Sequence, residues 1–191
     1  MKIGLYFGSF NPIHIGHLII ANHVVNNTDV DQVWLVVSPQ NPLKPSSTLL
    51  NAYQRLHLVK IAISDNAKLR ASDIEFKLPK PSYTIDTLAY LVEKYPQNIF
   101  SVIMGSDSYC NITKWKNYQL LLKNYQLIIY TRSAFPISPL KEDHKNLEIL
   151  NAPLLEISAT HIRTSIKNKL SIKYLVPDGV GVEIENNGYF K

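Results

Sequence analysis

Apolar residues along this chain gather into short continuous runs that alternate with stripes at helical spacing. Lys2 to Phe7 is the first run and reads as a strand, broken at Gly8 and Pro12. Apolar positions resume at helical spacing from Ile15 to about Asn26. Gln32 to Val37 (QVWLVV) is rich in β-branched residues and predicts a second strand. Ser38 to Leu50 holds Pro39, Pro42 and Pro45 and predicts a loop. Leu50, Tyr53, Leu56, His57 and Val59 then continue with helical spacing toward Ile63. Leu69 to Phe76 predicts one or two short strands, and Pro79 and Pro81 break the chain after it. Ile85, Leu88, Leu91 and Val92 mark one face of a helix that stops before Pro96. Ile99 to Met104 and Leu127 to Thr131 predict strands, with a short helix at Tyr118 to Asn124 between them. Ser133 to Lys145 is polar and predicts a surface excursion, and Leu147 to Ile149 predicts a last short strand. A helix begins at Ser158, and the tail from Tyr174 is helical in part.

Strands that are apolar throughout, rather than at alternate positions, are buried on both faces. Interleaved with helices, they predict an α/β fold: a Rossmann-like doubly wound sheet, mainly parallel. Right-handed crossovers then place a ligand at the carboxyl ends of the strands. The 191 residues suffice for one sizeable core, which predicts a single domain over 1–191 with a small C-terminal helical part from about 158.

Composition narrows the class. Hydrophobic residues make up 46% of the chain and charged residues 18%, which suits a globular protein. The one cysteine, Cys110, cannot form a disulfide within the chain. No apolar run is long enough to span a bilayer, and the first residues do not form a secretory signal pattern. These features predict a cytoplasmic protein with no membrane partner. The net charge of +5 is spread along the chain rather than blocked, and no RNA-binding or zinc-finger motif interleaves it. An anionic small molecule is therefore favoured over nucleic acid.

Polar groups cluster where the predicted strands end. Gly8-Ser9-Phe10-Asn11-Pro12-Ile13-His14-Ile15-Gly16-His17 joins the first strand to the first helix. Free N–H groups and partial positive charge at a helix N-terminus suit a phosphate, and the histidines add donors. His14 and His17 lie one helical turn apart and share a face. Asn41 to Lys44, Pro81 to Thr84, Gly105 to Ser108 and Ile157 to Arg163 fall at other strand ends or helix starts. Convergence of such loops at one sheet edge is what a nucleotide needs.

Gly8-x-Phe10-x-Pro12-x-His14-x-Gly16-His17 and Ile157-Ser158-Ala159-Thr160-x-Ile162-Arg163 resemble the two hallmark motifs of the HxGH nucleotidylyltransferase superfamily. Pro81-Ser82-Tyr83-Thr84-Ile85-Asp86-Thr87, Gly105-Ser106-Asp107 and Trp115 narrow the resemblance to the bacterial nicotinate-nucleotide adenylyltransferases, over nearly the whole chain. Two positions depart from the commonest pattern: Ser9 stands where Thr is frequent, and Ala159 where a second Ser is frequent.

The resemblance implies adenylyl transfer from ATP, carried with Mg2+, to nicotinate mononucleotide, giving deamido-NAD and pyrophosphate in NAD biosynthesis. It implies an ATP site built from Gly8, Ser9, Phe10, His14, His17, Lys44, Gly105, Asp107, Ile157, Ser158, Thr160 and Arg163. His14, His17 and Arg163 are its catalytic members. Ser158 or Thr160 can cap the helix that begins there, and Arg163 brings a permanent charge in a bidentate fork. Asp107 either holds ribose or touches the metal. The implied nicotinate-mononucleotide site comprises Ser82, Tyr83, Thr84 and Trp115. Helix-start N–H groups and the Thr84 hydroxyl would meet the carboxylate there, and the Trp115 ring would stack on the pyridine. No metal cage built only of protein ligands is visible, and an oligomer stays open. Another acceptor, such as nicotinamide mononucleotide or phosphopantetheine, is the nearest alternative, and a non-catalytic nucleotide- or nucleic-acid-binding module is the more distant one. GxGxxG is absent, which disfavours a dinucleotide dehydrogenase.

Overall fold

The computed structural model describes residues 1–39, 49–132, 134–137, 146–153 and 156–191. Among these residues six strands form one sheet: β1 (Lys2–Gly8), β2 (Gln32–Val37), β3 (Leu69–Ser72), β4 (Ile99–Gly105), β5 (Gln126–Tyr130) and β6 (Leu147–Leu150). Their order is β3-β2-β1-β4-β5-β6, and every pairing is parallel. β1 pairs β2 on one side and β4 on the other, so the chain reverses its direction of winding between β1 and β4. That reversal opens a crevice at the carboxyl ends of these two strands.

Among the described residues seven α-helices cover the sheet: α1 (Ile15–Asn27), α2 (Ala52–Ala62), α3 (Thr84–Lys94), α4 (Ser106–Tyr109), α5 (Tyr118–Asn124), α6 (Ala159–Lys167) and α7 (Asp178–Asn187). Side chains alternate across a strand, so each strand feeds two cores. Val33, Leu35 and Val37 of β2 pack with Ile20 and Val24 of α1, Leu58 and Val59 of α2, and Val180 and Ile184 of α7. Trp34 and Val36 point the other way, toward Leu88 and Leu91 of α3 and Leu121 and Leu122 of α5. Both faces are covered, as the solid apolar runs require.

Local chemistry fixes the helix starts. Asn51 caps α2 by accepting from the Tyr53 N–H at 2.9 Å, while Gln54 Oε1 accepts from the Asn51 N–H at 3.2 Å. Ser158 caps α6, accepting from the His161 N–H at 3.1 Å. The segment Leu69 to Phe76 gives one strand, not two: after Ser72 it turns into a 3-10 helix, Ile74–Lys77. The loop expected after β4 is instead the single turn α4.

Candidate active site

A cavity of about 690 Å³ lies at the crevice between β1 and β4. Its lining comes from the end of β1 and the turn into α1 (Tyr6 to Asn11, His14, His17), from Leu49 before α2, from Asp107 and Ser108 after β4, from Tyr130 at the end of β5 with Arg132 and Phe135 beyond it, and from Glu156 to Thr160 and Arg163 at the start of α6. Gly8, Ser9, Phe10, His14, His17, Asp107, Ile157, Ser158, Thr160 and Arg163 all face it. Segments far apart in sequence thus converge on one space.

His14 occupies the N-cap position of α1, and its N–H donates to Nδ1 of His17 at 3.3 Å. The two imidazoles stack with centroids 3.6 Å apart and planes 27° from parallel. Burial, reinforced by the nearby Arg132 charge, lowers His14 to a pKa of about 4. At neutral pH its ring is therefore uncharged and offers one N–H, not two. His17 stands within an aromatic box, edge-on to Phe10 at 5.1 Å and to Tyr6 at 6.1 Å. Phe10 itself adopts φ 45° and is 1% exposed. A Cβ on Gly8 would lie 2.8 Å from the Phe10 ring, so the space that glycine leaves is taken by that ring.

Arg163 crosses from α6 to the opposite wall. Its Nη1 donates to the Asn11 carbonyl at 2.8 Å and its Nη2 to Thr160 Oγ1 at 3.2 Å. Partial burial lowers its pKa. The N-terminal end of α6, the stacked histidines and this guanidinium concentrate donors and positive charge in one cavity, which suits a polyphosphate.

Several contributors carry no motif. Arg132 follows β5, lines the cavity, and pairs with Asp107 through Nε at 3.2 Å. Its Nη2 donates to the Tyr130 hydroxyl at 3.2 Å, and its N–H donates to Ser106 Oγ at 2.9 Å. The Tyr130 and Tyr6 hydroxyls lie 3.3 Å apart, and burial drives the Tyr6 phenol well above its ordinary pKa. Arg55 of α2 is 1% exposed and donates to four carbonyls: Ser9 at 2.6 Å, Ser38 at 2.8 Å, and Leu50 and Pro39 at 3.0 Å. Burial lowers it to about 10, so it stays charged at neutral pH. A buried tyrosine reads in sequence as core and a helical arginine as solvated surface. Only the position of Arg132 just past a strand hints at a site.

Other expected residues are placed elsewhere. Gly105 caps α4, where a Cβ would strike the Asp107 carboxylate, but it does not line this cavity. Asp107 is engaged by Arg132, an arrangement the ribose and metal readings did not include. Ser82, Tyr83, Thr84 and Trp115 do not line the cavity either. Ser82 is buried with its hydroxyl on Glu75, and Thr84 opens α3 behind Tyr83 at the N-cap. Trp115 is half-buried against the α3 and α5 core. Lys44 lies outside the described residues, as do most of the loop 38–50 and of the surface excursion 133–145. Among the described residues no group of three or more His, Cys, Asp or Glu side chains could hold a metal ion. Among them, too, no helix is long and apolar enough to cross a membrane.

The cytidylyltransferase-like family profile matches residues 5–165. A probable nicotinate-nucleotide adenylyltransferase of Flavobacterium psychrophilum is 54% identical over 192 residues, covering 100% of both chains. Its counterpart in Cytophaga hutchinsonii is 53% identical over 190 residues, covering 100% of this chain and 98% of the other. In fold, the chain is similar to the Plasmodium falciparum nicotinic acid mononucleotide adenylyltransferase complexed with NaAD. That likeness has a TM-score of 0.83 at 23% identity and covers 99% of this chain and 97% of the other.

Proposed function

The chain belongs to the nicotinate-nucleotide adenylyltransferase family, and from that premise we propose that its cavity transfers the adenylyl group of ATP to nicotinate mononucleotide in NAD biosynthesis. The observation that carries this reading is the stacked His14–His17 pair facing Arg163 and the N-terminus of α6 across one crevice. A phosphate oxygen of the acceptor attacks the ATP α-phosphorus in line. The new O–P bond forms as the bond to the β-phosphate oxygen breaks, and pyrophosphate leaves with that electron pair. No protein nucleophile is needed; the site orients the reactants and offsets the charge on the transferring group.

His14, His17 and Arg163 are the catalytic members of this proposal. His17, held edge-on by Tyr6 and Phe10, aims its ring at the α-phosphate, while His14 contributes one neutral N–H. Arg163 and the Ser158-capped N-terminus of α6 hold the triphosphate, with Thr160 orienting the guanidinium. Gly8, Ser9, Phe10, Asp107 and Ile157 complete the ATP side of the cavity, with Gly105 leaving the room that the Asp107 carboxylate takes and Lys44 assigned to the same side. Mg2+ arrives on ATP as part of the substrate, since such an ion is satisfied mainly by phosphate oxygens and waters and needs no protein cage. Ser82, Tyr83, Thr84 and Trp115 receive the nicotinate half, with the first N–H groups of α3 at its carboxylate. The chain acts as one domain over 1–191 with its helical part from about 158, in the cytoplasm.

Pyrophosphate release tests the reading. Release from ATP and Mg2+ that depends on added nicotinate mononucleotide supports it. Release at the same rate without an acceptor, or none at all, would overturn it.

A further inference from the structure

Two buried charges lie outside the catalytic set, and both meet the same residue. Glu75, in the 3-10 helix, is 2% exposed. Its Oε2 accepts from Ser82 Oγ at 2.8 Å and its Oε1 from Thr87 Oγ1 at 2.9 Å. The Ser38 side chain also faces this carboxylate. Among the described residues neither Glu75 nor Arg55 has an oppositely charged side chain within ion-pair distance. Each is satisfied by neutral groups instead. Desolvation raises the Glu75 pKa, and Ser82, Ser38 and Thr87 oppose that shift.

Ser38 joins the two. It directly follows β2, and its N–H donates to the Gly8 carbonyl at 2.9 Å. Its own carbonyl accepts from Arg55 Nη1, the same nitrogen that donates to the Ser9 carbonyl. The backbone of Ser38 is thus tied to the ATP loop at Gly8 and Ser9. Its side chain is tied, through Glu75, to Ser82 in the loop before α3 and to Thr87 in the first turns of that helix. Thr87 Oγ1 also contacts the Tyr83 carbonyl at 3.2 Å, which closes the network around the N-terminus of α3.

We infer that Glu75 is a positioning residue for the acceptor, holding the Ser82–Thr84 turn in register with the ATP loop through the Ser38 junction. The inference rests on the assignment of that turn to the nicotinate half. A solvent-facing loop has no need of a buried carboxylate that accepts from the hydroxyls of both Ser82 and Thr87. A loop whose backbone N–H groups must meet a ligand carboxylate has to be fixed relative to the attacked phosphorus, because small misplacements cost large factors in rate. A carboxylate is suited to this because it only accepts, so it orients all its hydroxyl partners the same way.

The test is steady-state kinetics of the full chain, with KM for nicotinate mononucleotide and for ATP read separately. Glu75→Gln keeps the shape but turns one acceptor into a donor. It is expected to raise KM for the acceptor about tenfold or more, with KM for ATP changing less than about twofold. Thr87→Val is expected to show the same split and Thr87→Ser to restore it, which separates a lost hydroxyl from a disturbed core. Equal losses on both substrates, or a lower unfolding temperature with both KM values unchanged, would overturn the inference. Wild-type kinetics run alongside distinguish the two readings. If wild type uses nicotinate mononucleotide but the variants show no split, the positioning role fails. If wild type prefers another acceptor, the substrate assignment fails, and Glu75 is judged by whether KM for that acceptor shows the split.

Discussion

Replacing His14 with asparagine should flatten the acid limb of this protein's stability. His14 is 6% exposed, and burial with the neighbouring Arg132 charge holds its pKa near 4, below the ordinary 6.5. In the unfolded chain the imidazole takes up a proton as pH falls through 6.5, while in the folded chain it does not until about pH 4. Between those values the unfolded state binds more protons, so stability falls as pH falls. The shift corresponds to about 3 kcal/mol, fully lost once the pH is below 4. Asparagine does not titrate and is itself a good N-cap, so α1 keeps its start. The assay is urea unfolding of both proteins, without nucleotide, at intervals from pH 7.5 to 4. The account predicts that the variant gains on wild type by about 3 kcal/mol across that range, since other titrating groups cancel in the difference. Parallel curves for the two proteins, or a His14 ring proton titrating near 6.5 by NMR, would show that burial does not hold this imidazole neutral.

Three other substitutions follow from the same geometry. His17→Ala should leave folding and ATP affinity nearly intact while slowing pyrophosphate release on the order of a hundredfold; near-normal turnover would remove His17 from the catalytic set. Arg55→Met strips the donor from four carbonyls and should destabilise the fold by about 3 kcal/mol or more in denaturant unfolding, whereas a cost near zero would mean those carbonyls find other partners. Gly8→Ala places a methyl 2.8 Å from a Phe10 ring already confined by Tyr6 and His17, so a loss of about 1–3 kcal/mol is expected, and an unchanged unfolding midpoint would show that the ring moves freely.

The parts of this fold legible in sequence are those where one physical cause dominates. α1 ends at Asn27 against the expected Asn26, because an apolar stripe framed by Pro12 and a polar Asn-Asn-Thr stretch leaves little choice. The strands were visible because burial on both faces makes them apolar throughout. α4 is not legible because four residues carry no period, and the 3-10 turn at Ile74–Lys77 is not because its apolar Ile74 and Phe76 alternate as a strand would. In the site, the glycines, histidines and the Ser158–Arg163 segment announce themselves by spacing. Arg132, Arg55, Glu75 and the Tyr6–Tyr130 pair do not, since each owes its part to tertiary contacts rather than to a spacing along the chain. The seating of Phe10 over Gly8 is similar: the space that the glycine leaves holds an aromatic ring, which no spacing along the chain indicates.

A competition in one tube tests adenylyl transfer to nicotinate mononucleotide against its rivals. Limiting ATP and Mg2+ are given equal concentrations of nicotinate mononucleotide, nicotinamide mononucleotide and phosphopantetheine, and the adenylylated products are separated and weighed by mass spectrometry. Deamido-NAD is expected to dominate, in a yield that matches the pyrophosphate released. A different adenylylated product in excess, or ATP consumed with none of the three, would contradict it.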